Sequence, residues 1–479
     1  MPRATIQPVS AVSSRRSFLF SAAGGFGGLA LSHLMATADE PKPRPDLNGG
    51  LHHRAKVRRV VQLFMNGGVS QMDTFDYKPE LEKRHGQAVD IGLKVTATGT
   101  PGPLMKSPFR WKQHGESGRW ATDVFPHMAG CVDEMAFLMA MTSKTNVHGP
   151  ASYLQTTGFL LPGFPCLGAW VSYGLGRLTD DLPAFVVLPD PRGLPYNGAG
   201  DFSAGFLPAT HQGTVIRSTS PTPIPDLSPS AGASFVTRDA SEKGLELLQG
   251  MNRQYAHEHP GDTRLDARVA SYELAARMQL AAPEAFDLSR ESAEIHARYG
   301  TGGTPQEGGF ARNCLLARRL LERDVRFVQV WSGAGGAANN WDNHGNIPNE
   351  LPPIARQVDR PIAALLNDLK ARGMFEDTLV IWTTEFGRMP VTQSATGRDH
   401  NGGTFVTWLA GAGVKGGVSH GESDEFSHRA VVDKTTSYDL HATILHLMGI
   451  DHERLTVRHN GIDRRLTDVH GEVIHAVLA

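Results

Sequence analysis

Cysteine is scarce. Cys131, Cys166 and Cys314 are the only three in 479 residues, and their odd number and wide spacing exclude a disulfide framework and a thiolate zinc site. An excess of one charge is lacking too: 47 basic against 49 acidic side chains leave a formal net charge of -2. No global field therefore draws in nucleic acid or an anionic membrane surface. The apolar run from Phe18 to Met35 is glycine-rich and broken by Ser and His, which makes a poor bilayer span. Internal repeats are absent. What is present is ordinary globular usage, 40% hydrophobic and 20% charged, with 21 histidines beside the acidic residues. Such side chains are ligands for Zn, Mn, Fe or Ca.

The segment Ser14-Arg15-Arg16-Ser17-Phe18-Leu19 is a twin-arginine pattern, and Ala36-Thr37-Ala38 reads as a small-residue cleavage site. Residues 1–38 are expected to be a signal peptide, giving an exported, periplasmic or envelope-associated product without a stable transmembrane segment. Residues 39–56 form a Pro-rich linker ahead of one domain over 57–479.

Within that domain, Val57 to Met65 is β-branched and aliphatic and ends at Asn66-Gly67-Gly68, the pattern of a buried strand opening into a tight turn. Further strands are predicted at Ala184 to Leu188, Val325 to Trp331, Thr378 to Thr383 and Thr404 to Ala410. Phe310, Cys314, Ala317 and Leu321 share one helical face. Ile354, Val358, Ile362, Leu365 and Leu369 share another, with a kink expected at Pro361. Helices preceding strands define an α/β fold with a mostly parallel central sheet. Ser218 to Ser230 reads as a loop. Leu245 to Tyr255 and Leu265 to Leu280 read as helices of an insertion at about 236–300.

Ligands in open α/β sheets bind beyond the carboxyl ends of the strands, and four polar clusters fall there. Asn66 to Asp76 contains the carboxylates Asp73 and Asp76, which could also be helix caps behind a glycine turn. Asp342 and His344 lie two residues apart, so in extended chain they point to one side and can share a cation; an Asx turn is the plainer alternative. Glu385 and Arg388 follow the strand ending at Thr383, where Arg388 could meet an anion or simply pair with Glu385. Asp399 and His400 directly precede an apolar strand. Cys166 starts a helix, whose N-terminus would lower its thiol pKa; a buried core thiol is the alternative. Tyr438 and Asp439 read as a helix start, and His441 and His446 as helix residues rather than ligands.

In this order the clusters resemble the alkaline phosphatase and sulfatase superfamily. The stretches GGVSQMDTFD, NVHGPASYLQTTG, WVSYGLG, WDNHGN, TEFGRMP, GRDHNGG and SYDLHATILHLMGID further resemble the exported domain of unknown function 1501 family, over about Val57 to Asp451. The resemblance implies an alkaline-phosphatase-like fold holding divalent metal, Zn, Mn or Ca. One site would come from Asp342, His344 and His400, and a second from Glu385 with Asp73 or Asp76. Asn66 stands where the superfamily has its first Asp. His148 stands where sulfatases carry the modified nucleophile, with Pro150 and Thr157-Gly158 at matching offsets. The implied activity is hydrolysis of sulfate or phosphate esters, with His148 or a metal-bound hydroxide attacking and Asn146, Arg388 and Asp399 orienting. The alternative is a non-catalytic exported binding or scaffold protein that keeps the fold.

Overall fold

A computed structural model describes residues 51–479 except 91, 93–100, 221–222, 225–236, 259–268, 270–271, 275–276, 279–283 and 337. The twin-arginine segment and its cleavage site lie outside the described residues, as does most of the stretch expected to be helical at Leu265 to Leu280.

The elements that build the central sheet and its flanks are β1 (Arg59–Met65), β2 (Met135–Thr142), α1 (His148–Thr157), α2 (Leu167–Leu175), β3 (Phe185–Leu188) and β4 (Thr214–Val215). They continue with α3 (Arg238–Glu258), α4 (Pro305–Glu322), β5 (Phe327–Ser332), α5 (Ile347–Ala371), β6 (Thr378–Thr383), β7 (Gly387–Arg388) and β8 (His400–Asn401). The last are β9 (Phe405–Gly411), β10 (Ser419–His420), β11 (Thr435–Thr436) and α6 (Ser437–Leu447). The sheet has nine strands in the order β10-β2-β9-β6-β1-β5-β3-β4, with β11 also pairing β2.

Helices cover both faces, which is why the strands are apolar throughout rather than alternating. Along β1, Val61, Leu63 and Met65 pack with residues of α4 and α5, while Val60 and Phe64 pack with residues of α2 and α6. Each fully buried aliphatic side chain of these layers contributes about 1.5–3 kcal/mol. Two polar exceptions pair with each other: Gln62 and Gln329 sit in register on β1 and β5, and Gln329 Nε2 donates to Gln62 Oε1 at 2.9 Å. Thr304 and Glu307 form a capping box at the start of α4. The helix α5 runs continuously through Pro361, where a kink is expected, to Ala371.

One long strand was not anticipated. β2 has the sequence MAFLMAMT and is buried along its whole length, but methionine and alanine carry little strand propensity. Direction matters more for the site. β9 alone among the long strands runs antiparallel, to both β2 and β6. Its amino end therefore lies at the edge where β1, β2, β5 and β6 have their carboxyl ends, and the residues leading into it reach the same place. Of the insertion, the described parts include α3 and the short helix Ala293–Tyr299. No helix among the described residues is long and apolar enough to cross a membrane.

Candidate metal centre

Four loops meet at this edge. The loop after β1 carries Gly67, whose φ is +126° and whose added Cβ would stand 2.6 Å from the Trp341 backbone nitrogen. Glycine at 67 thus lets the β1 loop lie directly against the chain that presents Asp342. His148 is the first residue of α1, just beyond β2. Asp342 and His344 come from the loop after β5. His400 is fixed by β8, which pairs with β7 so that His400 lies opposite Arg388.

His148, Asp342, His344 and His400 each place a ligand atom within 4.8 Å of all the others. The outer nitrogen of every imidazole is already committed. His400 Nδ1 lies 2.8 Å from the Asn146 carbonyl oxygen, His344 Nδ1 meets Gln393 Oε1, and His148 Nδ1 is 2.9 Å from Glu385 Oε1. Because those oxygens accept, each Nδ1 carries a proton, and each ring in its neutral form turns its Nε2 lone pair inward. His344 Nε2 and His400 Nε2 are 2.8 Å apart and lie 2.7 and 2.9 Å from Asp342 Oδ1. His148 Nε2 is 3.3 Å from Asp342 Oδ2 and has no hydrogen-bond partner among the described residues.

Inward lone pairs facing a carboxylate repel unless positive charge sits among them. Ligand atoms sharing one ion at about 2.1 Å are spaced by about 3.0–3.4 Å, close to the separations here. Anchoring of the distal imidazole nitrogen by an oxygen acceptor is how metal-binding histidines are usually oriented. The donor set therefore fits a divalent cation.

Without a cation the charges settle differently: burial opposes the Asp342 carboxylate, but donation from the surrounding imidazoles and the charge of Arg388 hold its carboxyl well below the usual range. Burial likewise opposes a charged His148, yet the neighbouring Asp342 and Glu385 carboxylates prevail and raise its pKa. For His400, burial wins over the Asp342 hydrogen bond and the pKa falls.

The remaining predicted residues take other places. Glu385 was expected as a ligand but stands one layer out, fully buried. Its Oε1 accepts from Gly67 N at 2.8 Å as well as from His148, and its Oε2 lies 3.1 Å from Thr384 Oγ1. Arg388 was expected to meet substrate, but it has no exposed surface. It donates to Asp342 Oδ1 at 2.7 Å and to the carbonyls of Gly67, Gly68, Trp341 and Arg398. Asp73 is held by Arg398 at 2.7 Å, and Asp76 by Ser423, Ser427 and Lys78; neither joins the cluster. Asn146 contributes its backbone carbonyl. Asp399 Oδ1 accepts from the His400 amide at 2.8 Å. Asn66 is buried and donates to the Gly333 carbonyl at 3.2 Å, and Thr384 Oγ1 at the end of β6 ties the Val69 amide to the same region.

Cys166 does begin α2, but burial pushes its thiol up to about 12 rather than lowering it. Thr436 and Asp439 form a capping box at the start of α6, and His441 lies buried within it, 3.0 Å from the Gln155 carbonyl. Two groups carried no sequence signal: Gln393, which anchors His344, and Tyr196, whose ring stacks on His148 with centroids 4.1 Å apart.

An α/β sheet with three imidazoles and a carboxylate gathered beyond its carboxyl edge defines the class: an α/β protein with a candidate metal centre. The chain belongs to the family described as "Protein of unknown function (DUF1501)", which matches residues 57–478. No curated protein matches the sequence. Among solved structures, the PsFucS1 sulfatase from Pseudoalteromonas sp. is 14% identical, with 91% of this chain and 76% of that chain covered and a TM-score of 0.35. A phosphonate monoester hydrolase of Agrobacterium radiobacter is 12% identical, covering 83% and 74%, with a TM-score of 0.34. An alkaline phosphatase from the Antarctic bacterium TAB5 is 12% identical, covering 78% and 96%, with a TM-score of 0.32.

Proposed function

We propose that the chain is an exported, metal-dependent hydrolase of sulfate or phosphate esters that holds one divalent cation through His148, Asp342, His344 and His400. The observation that supports this reading is the commitment of all three Nδ1 protons to outer acceptors, which leaves three Nε2 atoms facing one carboxylate. Three nitrogen donors favour zinc or manganese over calcium, which takes six to eight oxygens. A bound cation would supply Lewis-acid polarisation of the ester. Around it, Arg388 and Asp342 balance charge, Glu385 fixes the tautomer of His148, and Phe386 lies beside His148 with ring centroids 4.9 Å apart. His344 is the most open of the four, 31% exposed against 14% for His148 and 17% for His400, so substrate would approach from its side. With Nε2 turned toward Asp342, His148 is assigned here as a ligand and not as the nucleophile.

One observation favours the non-catalytic alternative. Arg388 and Arg398 spend their donors on Asp342, Asp73 and backbone carbonyls, which leaves neither to grip an anionic ester. Metal content of the mature protein, wild type beside the double variant Asp342→Ala, His400→Ala, tests the proposal. Near-stoichiometric metal lost in the variant, followed by turnover of a sulfate or phosphate ester, is the expected result. Metal without turnover would favour the binding protein, and no metal after reloading would overturn the centre altogether. Export is tested separately, by fusing residues 1–38 to a reporter and replacing Arg15 and Arg16 with Lys.

A further inference from the structure

His148 and Asp342 come from loops after different strands, and one side chain joins them. The Tyr196 ring lies nearly parallel to His148, with centroids 4.1 Å apart and planes 10° from each other. Its hydroxyl lies 3.0 Å from Asn340 Nδ2, which also reaches the Gly336 and Ala334 carbonyls at 2.7 and 3.0 Å, and donates to the Gly336 carbonyl at 3.2 Å. Asn340 in turn accepts the Asp342 amide on its Oδ1 at 3.1 Å. Next along the chain, Asn197 donates to the Gly149 carbonyl at 2.8 Å, so the loop after β3 holds the first turn of α1 at two points. Opposite it, Gly335 sits so close that an added Cβ would stand 2.9 Å from Tyr196 Cα. Tyr196 is thereby wedged between the chain that bears His148 and the chain that bears Asp342.

We propose that Tyr196 is a positioning residue that sets the ring plane of His148 and, through Asn340, the placement of Asp342, and so tunes cation affinity at this centre. The ring and the hydroxyl have separable jobs. Stacking restrains rotation of the imidazole about its Cβ–Cγ bond, keeping Nε2 aimed inward. The hydroxyl braces Asn340, and with it the turn that presents Asp342. Partners that orient metal-ligating side chains change affinity by about 10- to 100-fold when removed.

The affinity arm rests on the metal centre proposed above, whereas the His148 arm does not. The experiment compares wild type with Tyr196→Leu, Tyr196→Phe and Tyr196→Trp. The first readout is the long-range proton–nitrogen spectrum of His148 in metal-free protein at one alkaline pH, where the imidazole is neutral; the second is zinc affinity by competition with a chromophoric chelator. Tyr196→Leu is expected to replace the single Nδ1-protonated signature of His148 with an averaged one and to weaken zinc by about 10-fold or more. Tyr196→Phe should keep the signature and lose less affinity, and Tyr196→Trp should restore the signature. A folded Leu variant with an unchanged signature and unchanged zinc affinity overturns the proposal. If wild type binds no zinc, the metal proposal fails, and the His148 spectra alone decide the role of Tyr196. Should the Leu variant not fold, Tyr196→Phe and Asn340→Ala must show the same partial loss of affinity, and no loss in either is equally fatal.

Discussion

The guanidinium of Arg388 reaches Asp342 Oδ1 at 2.7 Å from a position with no solvent exposure. Four backbone carbonyls take its other donors, so the arginine is at once a counter-charge and a strut between the loops after β1, β5 and β7. Removing one partner of such a pair strands the other in a poorly solvated site, at a cost of about 3–5 kcal/mol. Arg388→Ala is expected to lose stability on that scale in denaturant unfolding, and Arg388→Lys most of it, because an ammonium cannot serve the same fork of acceptors.

Glu385 reaches the proposed cation site through His148, whose Nδ1 lies 2.9 Å from its Oε1. Glu385→Gln retains a side-chain acceptor but gives up the negative charge that favours a proton on His148 Nδ1. Zinc affinity should drop by about 10- to 100-fold with little change in metal-free stability. Isothermal titration on metal-free protein measures the first quantity and thermal unfolding the second; unchanged affinity would remove Glu385 from the centre.

Buried histidine in α6 makes acid sensitivity predictable. Burial outweighs the Gln155 hydrogen bond and lowers the His441 pKa to about 4, against about 6.5 in an unfolded chain. As pH falls through that window the unfolded state takes up a proton that the folded state refuses, so stability is full above about pH 6.5 and declines toward pH 4 by about 3 kcal/mol. His441→Gln keeps a donor for Gln155 and should flatten this limb of the stability profile.

Asp201 behaves oppositely. Its carboxyl is buried beneath α1, with Asn197 donating to Oδ1 at 2.8 Å and Oδ2 without a hydrogen-bond partner among the described residues. Burial pushes its pKa up to about 7, so the folded state keeps a proton that the unfolded state releases near pH 4. The group's contribution is therefore favourable below about pH 4 and is lost as pH rises to 7, by about 4 kcal/mol. Asp201→Asn should match wild type near pH 4 and exceed it at pH 8 in denaturant unfolding.

Much of the frame was legible because burial on both faces writes itself as apolar runs, as in β1, β3, β5, β6 and β9. β2 escaped because a run of Met and Ala fits a helix as readily as a strand, and only its place between β9 and β10 decides. Asp342, His344 and His400 could be picked out by residue type and by their position next to strands. The reversed roles of Glu385 and Arg388 could not, since what a carboxylate or guanidinium does depends on which acceptors surround it. Asn146 serves through a backbone carbonyl, which any residue could offer. Tyr196 and Gln393 matter only because distant loops converge on them.

The antiparallel course of β9 has a consequence for biosynthesis. His400 reaches the centre because the chain turns back at that edge and threads β9 between β2 and β6, while His148 belongs to the opposite half of the chain. A polypeptide released from the ribosome before that insertion holds at most a scattered subset of ligands. At the proposed metal centre, cation binding would therefore require that the last long strand of the sheet has been laid in.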